Sequence, residues 1–236
     1  MSRSNPKSLV WLGARDAAPF LLVILPFALL FGVVATEAGL NLVEVMGMSV
    51  LVIAGAAQFA ALQQMVGDAP VVMVLATALA VNLRMAMYSA SLTPYLGAAP
   101  LWQRAIASYV MVDQSYMLSI AKYETDPEMT LSERLRYYFG TMILIGPMWY
   151  VASFVGAVVG KAIPPEFALD FAVPITFLAM IAPMLRTLAH VAAAATSVIV
   201  ALLLAGLPFG AGLLIAAALA MAVGAGVEVA MERARP

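Results

Sequence analysis

Two charged side chains stand out because they lie in stretches that otherwise carry no charge. Arg84 is the only charged residue between positions 69 and 103, and Asp113 is the only one between 105 and 121. The chemistry open to them is that of an anion-binding guanidinium and of a carboxylate that can bind or release a proton. On a helix, the spacing i, i+4, i+7 puts Arg84, Tyr88 and Ser91 on one polar face, with Asn82 on another.

Each of these charges has two interpretations from the sequence alone. Arg84 either meets an anion, such as a substrate carboxylate or Asp113, or extends its charge towards a lipid head-group region. Helical spacing would put Asp113 on one face with Tyr109 and Tyr116. Asp113 is then either a proton carrier or the acidic half of a structural ion pair with Arg84, and the two roles are compatible.

An amide in the motif Ala54–Phe59 is a second candidate for contact with a substrate. The small residues before Gln58 would let another backbone come close and meet the amide. The alternative is that these small residues only allow tight helix packing. In either case Phe59 directly follows Gln58, and we expect both side chains to line the same part of the fold.

A proline interrupts a third motif, Leu169–Phe177. Pro174 removes a backbone donor and frees a carbonyl four residues earlier, and such broken helices are common in transporter sites. We expect Thr176 and Gln58 near the middle of a membrane, on opposite sides of one apolar pocket. The walls of that pocket would include methionines and two aromatic side chains, Phe59 and Phe177.

The composition indicates the environment that must hold these residues. Of the 236 residues, 64% are hydrophobic and only 11% are charged, and the mean hydropathy is +0.99. Too little charge is present to cover a soluble globule, which excludes an ordinary cytoplasmic enzyme, a disordered chain and a nucleic-acid binder. The sequence has no cysteine and one histidine, so we expect no metal site, no cofactor and no cysteine catalysis.

A helix needs roughly 20 residues to cross a bilayer. By this measure, the uncharged runs of the chain predict about eight spans. The predicted fold is an all-α polytopic helix bundle with proline-broken helices and an internal repeat, forming a single transporter domain over 1–236. Nine basic residues fall on one side and two on the other, which predicts N- and C-termini in the cytoplasm. The predicted spans are 17–36, 45–67, 70–92, 105–121, 137–160, 170–185, 189–206 and 210–228.

These motifs, in this order, resemble the AzlC-type branched-chain amino acid permeases, the large subunit of a two-component exporter. The resemblance extends from about residue 17 to 185. It implies export of branched-chain or similar apolar amino acids across the bacterial inner membrane. It also implies a small partner subunit of the AzlD type with about four spans. The matching motifs are Pro26–Gly32, Ala54–Phe59, Asn82–Leu92, the surroundings of Asp113, and Leu169–Phe177.

The residues and the resemblance together favour a secondary transporter subunit that is not an enzyme. No nucleotide-binding motif is present, so we expect transport to depend on the proton gradient, with Asp113 as the coupling group. The substrate-binding residues expected from the sequence are Gln58, Phe59, Asn82, Arg84, Tyr88, Pro174, Thr176 and Phe177. A passive channel or assembly scaffold is one alternative, and a membrane-embedded enzyme acting on lipid is another.

Overall fold

The computed structural model describes residues 6–160, 185 and 187–233. All regular elements in this part of the chain are helices, which confirms the predicted all-α class. Short 3-10 turns, Ala18–Phe20 and Pro208–Gly210, precede the second and the last of them. The α-helices are α1 (Pro6–Ala17), α2 (Leu21–Glu37), α3 (Leu42–Leu51), α4 (Gly55–Val66), α5 (Val71–Leu96), α6 (Leu101–Tyr109), α7 (Asp113–Thr125), α8 (Leu131–Gly160), α9 (Leu188–Leu203) and α10 (Ala211–Arg233).

Within the described residues, four helical segments are long and apolar enough to cross a membrane, by length and composition. The first, Ser8–Glu37, combines most of α1 with the 3-10 turn and α2. The other three are α5, α8 and α10. They contain most or all of the predicted spans at 17–36, 70–92, 137–160 and 210–228, whereas the predicted span at 170–185 lies outside the described residues.

Two predicted spans are wrong as single helices. The segment 45–67 is divided into α3 and α4 by residues 52–54, and 105–121 is divided into α6 and α7 by residues 110–112. Val52 and Val112 have extended backbones, with φ of −132° and −131°. Valine and isoleucine favour this conformation because their branched side chains restrict χ1, so the breaks fall where these residues cluster.

The expectation that prolines break the helices is wrong for the described residues. Pro26 lies inside α2, Pro94 inside α5 and Pro147 inside α8, and all three helices continue through them. Transmembrane helices tolerate proline because neighbouring groups satisfy the freed carbonyl. Pro174, the proline predicted to break the sixth span, lies outside the described residues.

Helices α3 and α4 fold back on each other, and we call the pair the first hairpin. The Gln58 amide donates a 3.5 Å hydrogen bond to Ser49 Oγ. Nine residues of continuous helix would separate these two positions by about 13 Å along the axis, so the chain must reverse at residues 52–54.

The direction of the first hairpin follows from its contacts with α2. A Cβ atom at Gly55 would lie 2.3 Å from the Phe27 ring, so α4 begins against Phe27. One turn further along both helices, the Phe59 ring lies 5.7 Å from that of Phe31. Helix α4 therefore runs in the same direction as α2, and α3 runs back from the end of α2.

Helices α6 and α7 form a second hairpin beside α5. Arg84 pairs with Asp113 and Tyr95 packs on Tyr123, so α5 and α7 run in the same direction. Helix α6 begins just after Leu96 ends α5, yet α7 begins beside Arg84, twelve residues earlier on α5. Because of this, α6 must run back along α5 towards Arg84.

Both open ends of the second hairpin lie at the first turns of α8. The Tyr123 hydroxyl, near the end of α7, donates to the Arg134 carbonyl at 2.8 Å. Trp102, at the start of α6, lines a cavity together with Leu131 and Leu135 of α8. The second hairpin thus opens at the start of α8, and its tip is residues 110–112.

Segment Ser8–Glu37 and helix α8 pack side by side in the same direction. Gly13 lies against the backbone of Gly140, and Gly32 lies against the backbones of Ser153 and Ala157. Since α2 and α8 are parallel, the end of α2 and the start of α8 lie at opposite ends of this pair. The two hairpins therefore enter from opposite ends.

The chain divides into two compact units. The first unit contains the described residues up to Phe59 and those from Val81 to the end of α8. The second unit contains Ala60–Ala80 with α9 and α10. Within the second unit α9 and α10 are antiparallel, since Gly224 lies against Ala193 and Gly212 against Leu204. The chain turns between Leu203 and Ala211, which agrees with the boundary between the predicted spans 189–206 and 210–228.

Candidate functional site

The two intramembrane charges that stand out in the sequence form an ion pair. Arg84 Nη1 lies 3.1 Å from Asp113 Oδ2, and both side chains are about one-third exposed, at 30% and 31%. Arg84 Nε and Asp113 Oδ1 are buried and have no hydrogen-bond partner among the described residues. Arg84 Nε can therefore donate, and Asp113 Oδ1 can accept, a further hydrogen bond while the pair stays intact.

Helix α7 places Asp113 at its first residue, not in the middle of a helix as the sequence suggested. Ser115 fixes this start, because its hydroxyl donates to the Val112 carbonyl at 2.8 Å and accepts from the Val112 amide at 3.0 Å. The carboxylate therefore lies at the N-terminal end of α7, beside the Arg84 guanidinium. The predicted common face of Tyr109, Asp113 and Tyr116 is wrong, since the break at 110–112 separates Tyr109 from the other two.

The predicted polar face of α5 is confirmed by its contacts with α7. Tyr88 stacks on Tyr116 with ring centroids 4.0 Å apart and planes 9° from parallel. The Tyr116 hydroxyl donates to Ser91 Oγ at 3.1 Å. Together with the ion pair of Arg84, these contacts hold α5 and α7 in register along three helical positions.

Asn82 lies on α5 two residues before Arg84. Helix α5 is continuous there. Asn82 Oδ1 is buried and has no hydrogen-bond partner within the described part of the chain. It is a second polar atom close in sequence to the ion pair that a ligand could satisfy.

The tip of the first hairpin combines one buried amide with aromatic rings. Gln58 is 1% exposed, and its amide nitrogen donates to Ser49. Its Oε1 is buried and has no hydrogen-bond partner among the residues that the structure describes. The rings of Phe27 and Phe59 are 4.9 Å apart, and Trp149 lies 6.2 Å from Phe27. This arrangement places a hydrogen-bonding amide beside apolar walls, as the sequence motif suggested.

Three predicted site residues, Pro174, Thr176 and Phe177, lie outside the described residues. Their expected position opposite Gln58 stays a prediction. Sequence reasoning missed two residues that shape the site, Ser49 and Ser115. The signal for Ser115 was its place two residues after Asp113, where a hydroxyl can cap a helix that begins after an extended residue.

No group of three or more His, Cys, Asp or Glu side chains that could hold a metal ion occurs in the described residues. In the part of the chain that the structure describes, the regular elements are helices, and the breaks at 52–54 and 110–112 carry a buried amide and an ion pair. Broken helices with polar groups at the break are typical of transporters.

Comparison with known proteins gives the family. The family model described as AzlC protein matches residues 19–163, more than half of the chain. The chain therefore belongs to the AzlC family of branched-chain amino acid permeases, a family of membrane transport proteins. No curated protein and no solved structure gives a significant match.

Proposed function

We propose that this chain is the large subunit of a secondary transporter that exports branched-chain or similar apolar amino acids in exchange for protons. The observation that carries the proposal is the Arg84–Asp113 pair at the tip of the second hairpin. In this pair, a carboxylate that can gain or lose a proton lies beside a cation that can bind a carboxylate. A permease that couples an amino acid to a proton needs both groups in one place.

In the membrane, the two hairpins enter from opposite faces without crossing. Their opposite orientation relative to α2 and α8 supports this topology, and transporters use such half-helices near the midplane. The end where the second hairpin opens carries many basic residues, which makes it the cytoplasmic face of the inner membrane. These residues are Arg104, Lys122, Arg134 and Arg136.

The tip of the first hairpin supplies the apolar part of the substrate site. A branched aliphatic side chain fits against Phe27, Phe59 and Trp149, because burial of apolar surface there is favourable. Gln58 Oε1, buried and without a partner in the described residues, can accept a hydrogen bond from the substrate ammonium.

Proton exchange follows from competition for Asp113. When Asp113 is ionised, its Oδ1 accepts a hydrogen bond from the substrate ammonium while Arg84 Nε donates one to the substrate carboxylate. When a proton neutralises Asp113, the ammonium loses its charged partner and the substrate is released. The proton and the substrate therefore exclude each other, as exchange across the membrane requires.

The partner is a small AzlD-type subunit of about four spans. One face of α5 is apolar and exposed, with Leu79 at 69%, Leu83 at 54% and Met87 at 66% exposure. Lipid covers this face if the partner does not. Both termini of the large subunit lie in the cytoplasm.

The test is efflux of leucine from preloaded cells, with and without the partner, followed by transport in vesicles with an imposed pH gradient. Asp113→Asn should abolish gradient-driven transport and weaken leucine binding, because the amide mimics the protonated acid and cannot release a proton. Asp126→Asn is the matched control, since Asp126 pairs with Lys122 near the loop before α8 and should leave transport unchanged. Uphill transport by Asp113→Asn would show that Asp113 is not the coupling group. Leucine flux that does not depend on the proton gradient, and that does not saturate as the leucine concentration rises, would favour the passive channel.

A further inference from the structure

A cavity of about 360 Å³ lies between the C-terminal half of α5 and helix α6. We call it the α5–α6 cavity. Its volume is within the range of about 300–1,000 Å³ that is usual for small-molecule sites. None of the residues predicted from the sequence to bind substrate lines it.

The walls of the α5–α6 cavity are mostly apolar, with Leu92, Leu96 and Met111 among them. Its polar groups include the guanidinium of Arg104 and the hydroxyl of Ser108. Arg104 forms no salt bridge with any described residue, so its charge is available to an anion. A small molecule with one carboxylate and one short apolar side chain matches this combination of groups.

The position of the cavity connects it to the ion pair. Met111 belongs to the tip of the second hairpin, two residues before Asp113, and Ser89 lies on α5 five residues after Arg84. At its other end the cavity is lined by Gly97, in the connection that precedes α6. It therefore leads from the open end of the second hairpin to its tip.

We infer that the α5–α6 cavity is the cytoplasmic entry site for the exported amino acid, with Arg104 as the first contact of the substrate carboxylate. The inference rests on the proposed function, because it takes the open end of the second hairpin as the cytoplasmic face. The apolar side chain lies along Leu92 and Leu96 while the carboxylate is held by Arg104. The carboxylate then passes to Arg84 while ionised Asp113 takes the ammonium.

The natural chain has no cysteine, so a single introduced thiol is unique. Ser108→Cys places it in the cavity, and Gln103→Cys places it on α6 outside the cavity. In inside-out vesicles that contain the partner subunit, a membrane-impermeant maleimide should label both. L-leucine at ten times its Kd should slow labelling of Ser108→Cys about ten-fold and leave Gln103→Cys unchanged, since occupancy follows mass action. L-aspartate should protect neither.

Arg104→Gln should raise the KM for leucine about ten-fold with little change in the maximal rate, as expected when one charge-assisted hydrogen bond to the substrate is lost. Arg136→Gln, on α8 and outside this cavity, is the control. If Ser108→Cys lowers export, Thr93→Cys in the same cavity replaces it. Labelling that leucine does not slow, in a variant that still exports leucine, overturns the entry site and leaves the proposed function intact. Absence of leucine export by the natural chain with its partner would instead overturn the proposed function.

Discussion

The Tyr109 hydroxyl donates a 2.5 Å hydrogen bond to the backbone carbonyl of Val50. Tyr109 is the last residue of α6 and Val50 lies in the last turn of α3, so this bond joins the tips of the two hairpins. Carbonyls in the last turn of a helix have no partner within the helix, and the hydroxyl satisfies one of them. A hydrogen bond therefore connects the two helix breaks directly.

Replacement of Tyr109 by phenylalanine should slow transport. Loss of one hydrogen bond costs about 1 kcal/mol, and here the loss falls between two elements that we expect to move together during transport. Tyr123→Phe is the matched control, because its hydroxyl also donates to a backbone carbonyl, that of Arg134, but away from the tips. We expect similar melting temperatures in detergent for both variants and a lower maximal rate only for Tyr109→Phe. Equal rates would show that the bond between the tips has no part in transport.

The contact between α2 and α8 should tolerate no added methyl group at Gly156. A Cβ atom there would lie 2.0 Å from the Leu29 carbonyl oxygen, and backbone cannot move aside as a side chain can. Gly156→Ala should therefore destabilise the protein by about 3 kcal/mol, at the upper end of the cost of overpacking.

The control on the same helix is Gly146→Ala, where the nearest atom to the new Cβ is 4.0 Å away. Alanine is a better helix former than glycine, so this variant should be neutral or more stable by up to about 1 kcal/mol. Thermal unfolding of the purified complex in detergent measures both. A Gly156→Ala variant as stable as the natural chain would mean that the backbones of α2 and α8 are further apart than the 2.0 Å approach of this Cβ to the Leu29 carbonyl oxygen indicates.

The sequence predicts the helical class and the importance of Arg84 and Asp113, because charges in apolar stretches are rare and easily recognised. It does not predict the hairpins. About 20 apolar residues are enough to cross a bilayer as a helix, so 45–67 and 105–121 are each predicted to cross it once. Hydropathy does not show whether the chain reverses within such a segment. The reversals depend on Val52 and Val112, whose extended conformation is a local preference that tertiary contacts must complete.

The position of Arg104 illustrates the same limit. An eight-span topology puts Arg104 on the outer face, because it counts 105–121 as a crossing. Once α6 and α7 fold back on each other, Arg104 joins Arg134 and Arg136 at one end, in better agreement with the positive-inside rule. Arg104 lines a cavity because α6 lies beside α5, an arrangement that hydropathy does not predict.

Removal of the buried amide should weaken substrate binding selectively. Gln58→Ala should raise the KM for leucine about ten-fold, the loss expected for one hydrogen bond to a charged ammonium group. Gln63→Ala is the control, since Gln63 is exposed on the same helix. Transport kinetics in vesicles separate KM from the maximal rate. If the two variants behaved alike, the first hairpin would not hold the substrate ammonium through Gln58.

The topology of the second hairpin gives the sharpest test of the proposed membrane arrangement. Ala98, exposed in the connection between α5 and α6, lies on the cytoplasmic face if α6 and α7 form a re-entrant hairpin, but on the outer face if they form one crossing. Leu40, after α2, is on the outer face in both arrangements, and Glu128, before α8, is on the cytoplasmic face in both. Single cysteines at these three positions, in a chain that has none of its own, can be labelled with an impermeant maleimide in intact cells and in inside-out vesicles. We expect Ala98→Cys to behave like Glu128→Cys and to be labelled in inside-out vesicles only. Labelling of Ala98→Cys in intact cells, as for Leu40→Cys, would restore the crossing at 105–121 and move the α5–α6 cavity to the outer face.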